Sequence, residues 1–175
     1  MSVARSDFPS FFAALHDGAL PFAWQERLLD HVLAEGRWPD RVVAPTGSGK
    51  TAVLDVHVFA VALMAAGRGP RIPRRLALIV DRRALVDSQH ELAIRLSRSL
   101  RQEATTEHGV LAEVGRLLLA LRSSRESDLD PLLVALLRGG ALPDRRWVDD
   151  PTAAGIICAT PAMWGSRLLF RGYGA

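Results

Sequence analysis

The run Ala44-Pro45-Thr46-Gly47-Ser48-Gly49-Lys50-Thr51 limits what this chain can fold into more than any bulk property does. Gly47 and Gly49 let the main chain curl so that successive N–H groups face one point. Lys50 then adds a cation on a flexible stem, and Thr51 adds a hydroxyl. Together these make a phosphate cradle (P-loop), with Lys50 reaching β/γ-phosphates and Thr51 ligating magnesium. Such a loop is built between a strand and a helix, and the helix start contributes its positive dipole end. The lysine carries extra weight. Of 22 basic residues it is the single Lys; the other 21 are Arg. A planar guanidinium fork does not replace a compact ammonium at that position. The strict pattern has Gly where this chain has Ala44.

Apolar spacing around the loop predicts the rest of the architecture. A short helix follows Asp7 as N-cap and is stopped by Gly18; a second runs over Ala23–Glu35 with Gly36 as C-cap. Arg41–Ala44 reads as a short strand entering the loop, and Lys50–Ala66 as a helix apolar on nearly every side. Leu76–Val80 is a continuous apolar run, the mark of a central parallel strand. Helices are expected over Leu85–Gln102, with a Glu91–Arg95 pair, and around Leu111–Leu121. Leu132–Leu137 fits either a strand or a short helix. Residues 141–154 read as loop, Gly155–Ala159 as a strand and Ala162–Phe170 as a helix. The order is that of an α/β fold, a mostly parallel sheet flanked by helices. Ligands of such sheets bind beyond the carboxyl ends of the strands. There the sequence puts the P-loop, Asp81-Arg82-Arg83, Arg138-Gly139-Gly140 and Thr160-Pro161.

The chain's 175 residues suit about one domain, and 49% hydrophobic residues allow a sizeable core. The longest apolar stretch, Val53–Ala66, is too short to span a bilayer and is interrupted by Asp55 and His57. No signal-peptide layout opens the chain, and Cys158 reads as a buried thiol of a reducing compartment. The expectation is a cytoplasmic protein without membrane association. A net charge of +3 is only mild support for an anionic partner.

Other residues are candidates for contacts to ligand. Phe22-Ala23-Trp24-Gln25 lies about 20 residues before the loop; an aromatic there can stack on adenine while the Gln25 amide reads the base edge. Arg82 and Arg83 at a strand end can clamp a phosphodiester backbone. Gly139 and Gly140 beside Arg138 let a nucleic-acid strand approach the main chain. Thr160 can cap the last helix and face a phosphate. Each of these also has a plain reading as core, turn or cap. His16-Asp17 and Asp30-His31 lack the further ligands of a metal site, and Asp149-Asp150 reads as a solvated acidic turn.

Taken together, Phe22–Gln25, Ala44–Thr51 and Asp81–Asp87 resemble the first RecA-like domain of a superfamily-two DEAD/DEAH-box helicase. Leu137–Gly140, Trp147, Asp150-Pro151 and Ile156–Gly174 look most like the helicase of type I CRISPR interference, subtype U (also called G), a helicase-nuclease. Thr160-Pro161-Ala162-Met163 departs from that subgroup. The resemblance implies residues 1–40 as N-terminal helices with an adenine-reading motif, and residues 41–175 as an incomplete ATP-binding domain. It implies ATP and magnesium held by Phe22, Gln25 and Ala44–Thr51. It implies single-stranded DNA along Arg82, Arg83, Arg138, Gly139, Gly140 and Thr160. The partner of the whole protein would be a CRISPR RNA-guided surveillance complex. No Asp-Glu-Ala-His box precedes Ala175, so the expectation is a piece that holds ATP without hydrolysing it, its whole protein moving on single-stranded DNA. It also implies an apolar sheet edge left unpaired.

Two other classes stay open. One is a small P-loop kinase or transferase, with Asp81 as its carboxylate and Arg145-Arg146 as its lid. The other is a non-catalytic nucleic-acid-binding module or a decayed reading frame.

Overall fold

The computed structural model describes residues 3–123, 130–140 and 146–170. A single 3-10 turn, Arg5–Asp7, leads into α1 (Phe8–Leu15), followed by α2 (Ala23–Glu35). A second 3-10 turn, Lys50–Ala52, opens α3 (Val53–Ala65). Then come β1 (Arg75–Ile79), α4 (Arg83–Glu103), α5 (Val110–Ala120), β2 (Leu133–Leu137), α6 (Arg146–Asp149), β3 (Gly155–Ala159) and α7 (Pro161–Phe170). The chain is therefore α/β, with a small parallel sheet flanked by helices.

Helix ends follow local chemistry. Gly36 takes φ +68° and its N–H reaches Val32 O, so α2 stops in a left-handed C-cap. Asp7 does not cap α1 with its side chain; its carboxylate accepts the Ala4 N–H at 2.8 Å, which holds the preceding 3-10 turn instead. The expected Glu91–Arg95 pair is not among the ion pairs of the described residues.

The sheet order is β1-β3-β2, all parallel. Its middle strand, β3, is buried along its whole length, as parallel strands between helix layers are. The ambiguous run at Leu132–Leu137 resolves as strand β2 because β3 offers it a complete ladder, from Leu133↔Gly155 to Leu137↔Ala159. The register aligns Ile79, Ala159 and Leu137 on one level. The residues that follow each strand therefore leave the sheet side by side.

The expected strand Arg41–Ala44 does not form. A strand exists only by pairing, and this segment has no ladder partner. Val43 is 84% exposed. β1 is thus an edge strand, and Ile79 at its end is exposed.

Two apolar layers cover the sheet. On one face α4 lies against β2 and β3, α5 packs on α4, α3 on α5, and α2 on α3. Leu76, Leu78, Val134, Ile156 and Cys158 join the large core on that side, and the N-terminal helices share it through Phe8, Phe11, Leu29 and Phe59. On the other face Ala135, Leu137, Ile157 and Ala159 meet Trp147 of α6 and Met163 and Trp164 of α7. Cys158 sits in the large core, where burial pushes its thiol pKa up to about 12. It is an inert core thiol.

Asp150 is not the solvated acidic residue the sequence suggested. It is buried between α6 and β3, and its carboxylate accepts from Arg122 Nε at 2.9 Å and from the Thr152 hydroxyl and N–H at 2.6 and 3.1 Å. Among the described residues no helix is long and apolar enough to cross a membrane.

Candidate nucleotide loop and sheet-edge site

The glycine-rich loop is anchored to a helix rather than to a strand. The Trp24 indole N–H donates to Ser48 O at 2.9 Å, and the Gln25 amide NH2 donates to Gly49 O at 3.0 Å. Ser48 closes the turn, its hydroxyl donating to Pro45 O at 2.7 Å. Gly47 and Gly49 take φ +80° and +69°. Gly49 must also be small: a Cβ there would stand 3.0 Å from Gln25 Nε2 and 3.4 Å from the Phe22 ring. The positive φ strains any L side chain here, and the close approach of Gln25 and Phe22 adds to that cost.

Lys50 Nζ donates to Ala44 O at 2.9 Å and to Pro45 O at 2.7 Å, so the ammonium bridges the loop on its exposed side. Among the described residues, no protein acceptor takes the main-chain N–H groups of Gly47, Gly49, Lys50 and Thr51. Four unspent donors beside one ammonium suit a phosphate group. The Thr51 side chain is exposed at the head of the 3-10 turn. Phe22 is 52% exposed and lies against Gly49, which leaves part of its ring available to a base.

Gln25 has a different place from the one its sequence position suggested. It is 0% exposed. Its Oε1 accepts the Phe22 N–H at 2.8 Å and its NH2 is spent on Gly49 O, so no amide edge is presented to a base. Gln25 is a positioning residue that ties the first turn of α2 to the loop. Gln25→Ala would leave the Phe22 N–H and the Gly49 carbonyl without these partners. The expected cost is about 2 kcal/mol, read as a fall in melting temperature of about 4–8 °C.

The second group of candidates does converge at the sheet edge. Arg83, at the start of α4, sets its guanidinium against Gly139; a Cβ on that glycine would stand 3.3 Å from Arg83 Nη2. Arg138 pairs with the Asp87 carboxylate of α4 and also donates to Gly139 O at 3.2 Å. Gly140 turns the chain at φ +82°. Thr160 joins them through its N–H to Leu137 O at 3.0 Å, and its carbonyl accepts the Trp164 N–H at 2.9 Å. The Thr160 hydroxyl makes no capping bond among the described residues, so the main chain alone starts α7. Arg82 caps α4 through its carbonyl, and its side chain is exposed.

The glycine-rich loop does not belong to this edge by strand connection, because no strand leads into it. That corrects the expectation of four motifs at strand ends: three are there, and the loop hangs from α2 and α3. Of the two His/Asp pairs set aside as metal ligands, His16 turns to the buried Asp55 at 2.8 Å and Asp30 pairs with Arg5. His16 is raised in pKa by the Asp55 hydrogen bond, and Asp55 is raised by burial. Among the described residues no group of three His, Cys, Asp or Glu side chains is placed to hold a metal ion. Arg145 and the stretch 171–174 lie outside the described residues. Arg146 of the suggested kinase lid lies 3.4 Å from the Asp130 carboxylate.

Asp150 and Arg122 carried no local sequence signal, because the pair spans 28 residues. Compared with known proteins, the chain matches no family model, no curated protein and no solved structure.

Proposed function

We propose that this chain binds ATP at Ala44–Thr51 and single-stranded DNA at the sheet edge, as part of a RecA-like motor of the superfamily-two helicase kind. The observation that carries the reading is the loop itself, with four N–H groups that find no protein acceptor among the described residues, beside the only lysine of the chain. The main chain at Gly47, Gly49, Lys50 and Thr51 would donate to phosphate oxygens. Lys50 would exchange the Ala44 and Pro45 carbonyls for phosphate, and the Thr51 hydroxyl would ligate magnesium. Bound magnesium-ATP supplies the transferable phosphoryl group. Phe22 would cover one face of the base, while Gln25 and Trp24 hold the loop from beneath.

The sheet edge supports the nucleic-acid half. Arg83 sets its guanidinium against Gly139, Arg82 beside it in the chain is exposed, and the Thr160 hydroxyl is unspent among the described residues. That combination suits phosphodiester contacts without base readout. In the whole protein the motor would couple ATP hydrolysis to movement on DNA. The narrower likeness to the CRISPR interference helicase, cytoplasmic and serving a surveillance complex, rests on the sequence resemblance alone.

Fluorescence anisotropy with a labelled oligothymidylate tests the DNA half. Arg83→Ala should weaken binding for every sequence alike and reduce the slope of log affinity against log salt by about 0.7. An unchanged slope removes Arg83 from the DNA path.

A further inference from the structure

The end of the sheet opposite Arg83 and Gly139 holds a cleft of about 720 Å³ near the starts of β1 and β3. That volume is in the usual range for a small-molecule site, roughly 300–1,000 Å³. Its lining combines apolar Met64, Ile72 and Pro151 with Arg71, Arg74 and Arg75.

Among the described residues these three arginines keep most of their side-chain donors unspent. Arg74 uses Nη1 alone, donating to Leu121 O at 3.1 Å and Thr152 O at 2.7 Å. Arg75 uses Nη2 for Asp150 O at 2.7 Å, and its guanidinium lies 5.8 Å from the centre of the Trp147 ring. Arg71 is exposed and makes no hydrogen bond or ion pair among the described residues. The acidic charge that acts on Arg75 is Asp150. That carboxylate is already taken by Arg122 and Thr152. The cleft therefore has a cationic excess on a partly desolvated wall, where an added anion gains more than on an open surface.

We propose that this cleft binds a small organic polyanion, with phosphate or carboxylate oxygens on Arg71 and Arg74 and its apolar part on Met64, Ile72 and Pro151. The planar guanidinium fork matches both oxyanions, so the chemistry is shared and experiment separates the two sources. The site is independent of the P-loop reading and stands if that reading fails.

The test is calorimetric titration at fixed ionic strength with inorganic pyrophosphate in one arm and citrate in the other. The full chain carries Lys50→Ala, which weakens any binding of the probe at the glycine-rich loop, and dependence on Arg71 assigns the remaining signal to the cleft. Saturable binding of at least one probe is expected, weakened about tenfold by Arg71→Ala, the loss of one charge-assisted contact. Arg71→Lys should recover part of that loss. Binding confined to pyrophosphate assigns phosphate esters; binding confined to citrate assigns carboxylates. Arg71→Gln serves in place of Arg71→Ala if the alanine variant melts differently from the parent. No binding of either probe, or binding indifferent to Arg71, overturns the proposal.

Discussion

Lys50→Ala should lower the affinity for magnesium-ATP about a hundredfold, the result expected of removing one ammonium from the proposed phosphate cradle. The ammonium already sits over the loop, 2.9 Å from Ala44 O and 2.7 Å from Pro45 O. Phosphate oxygens would be stronger acceptors than those carbonyls, because both partners are then charged. Lys50→Arg should recover less than a tenth of the loss, since a broad planar fork does not enter a curl shaped by two glycines. Stability should barely move. Lys50 is exposed, and the two carbonyls it leaves can turn to water. Calorimetric titration with ATP and magnesium gives the affinity, and a melting curve within about 1 °C of the parent gives the control. An alanine variant that binds ATP as the parent does would refute the nucleotide reading of the loop.

The parts of the fold legible in sequence were those decided by local spacing. Ala23–Glu35 reads as a helix from Trp24, Leu28, Leu29 and Val32 on one stripe with Gly36 at its end, and α2 has those bounds. Gly155–Ala159 reads as a strand because five small or apolar residues stand between turns, and β3 is that strand. Arg41–Ala44 failed because Val42-Val43 promises only a willingness to pair, while pairing depends on a neighbour elsewhere in the chain. Leu132–Leu137 could not be settled by composition for the same reason, and the ladder to β3 decided it.

The site divides in the same way. Gly47 and Gly49 mark a tight loop through spacing alone, and both take positive φ in the structure. Gln25 was visible as a residue of the site but not as a buried strut, because burial depends on how α2 meets the loop. The level register of Ile79, Leu137 and Ala159 brings Arg83 to Gly139. Sequence order predicts the shared edge, but not which side chains touch.

Arg122→Met is the substitution expected to cost the most stability, about 3 kcal/mol, or about 6–12 °C in melting temperature for a chain of this size. Arg122 and Asp150 side chains are 8% and 11% exposed. Arg122 also donates to Asp130 O at 2.8 Å, so one guanidinium ties the approach to β2 to the approach to β3. Methionine fills much of the space but leaves the Asp150 charge buried with only Thr152 to satisfy it. Burial alone would raise the Asp150 pKa; the Thr152 hydroxyl, Arg122 and the Thr152 N–H outweigh it, and the carboxyl lies below its ordinary value. Because the folded pKa is the lower one, the folded state holds the proton less tightly. The pair's contribution is therefore complete above the unfolded value of about 3.9 and is lost as pH falls through the folded pKa. The gap in melting temperature between parent and Arg122→Met should be widest near neutrality and shrink below about pH 4, where protonation relieves the stranded carboxylate. Adding Asp150→Asn to Arg122→Met should recover part of the loss at pH 7, since the stranded charge is then gone. A gap that stays constant from pH 7 to acid would show that Arg122 acts by packing rather than through Asp150. A variant that melts with the parent at pH 7 would show that the ion pair does not hold the two strands.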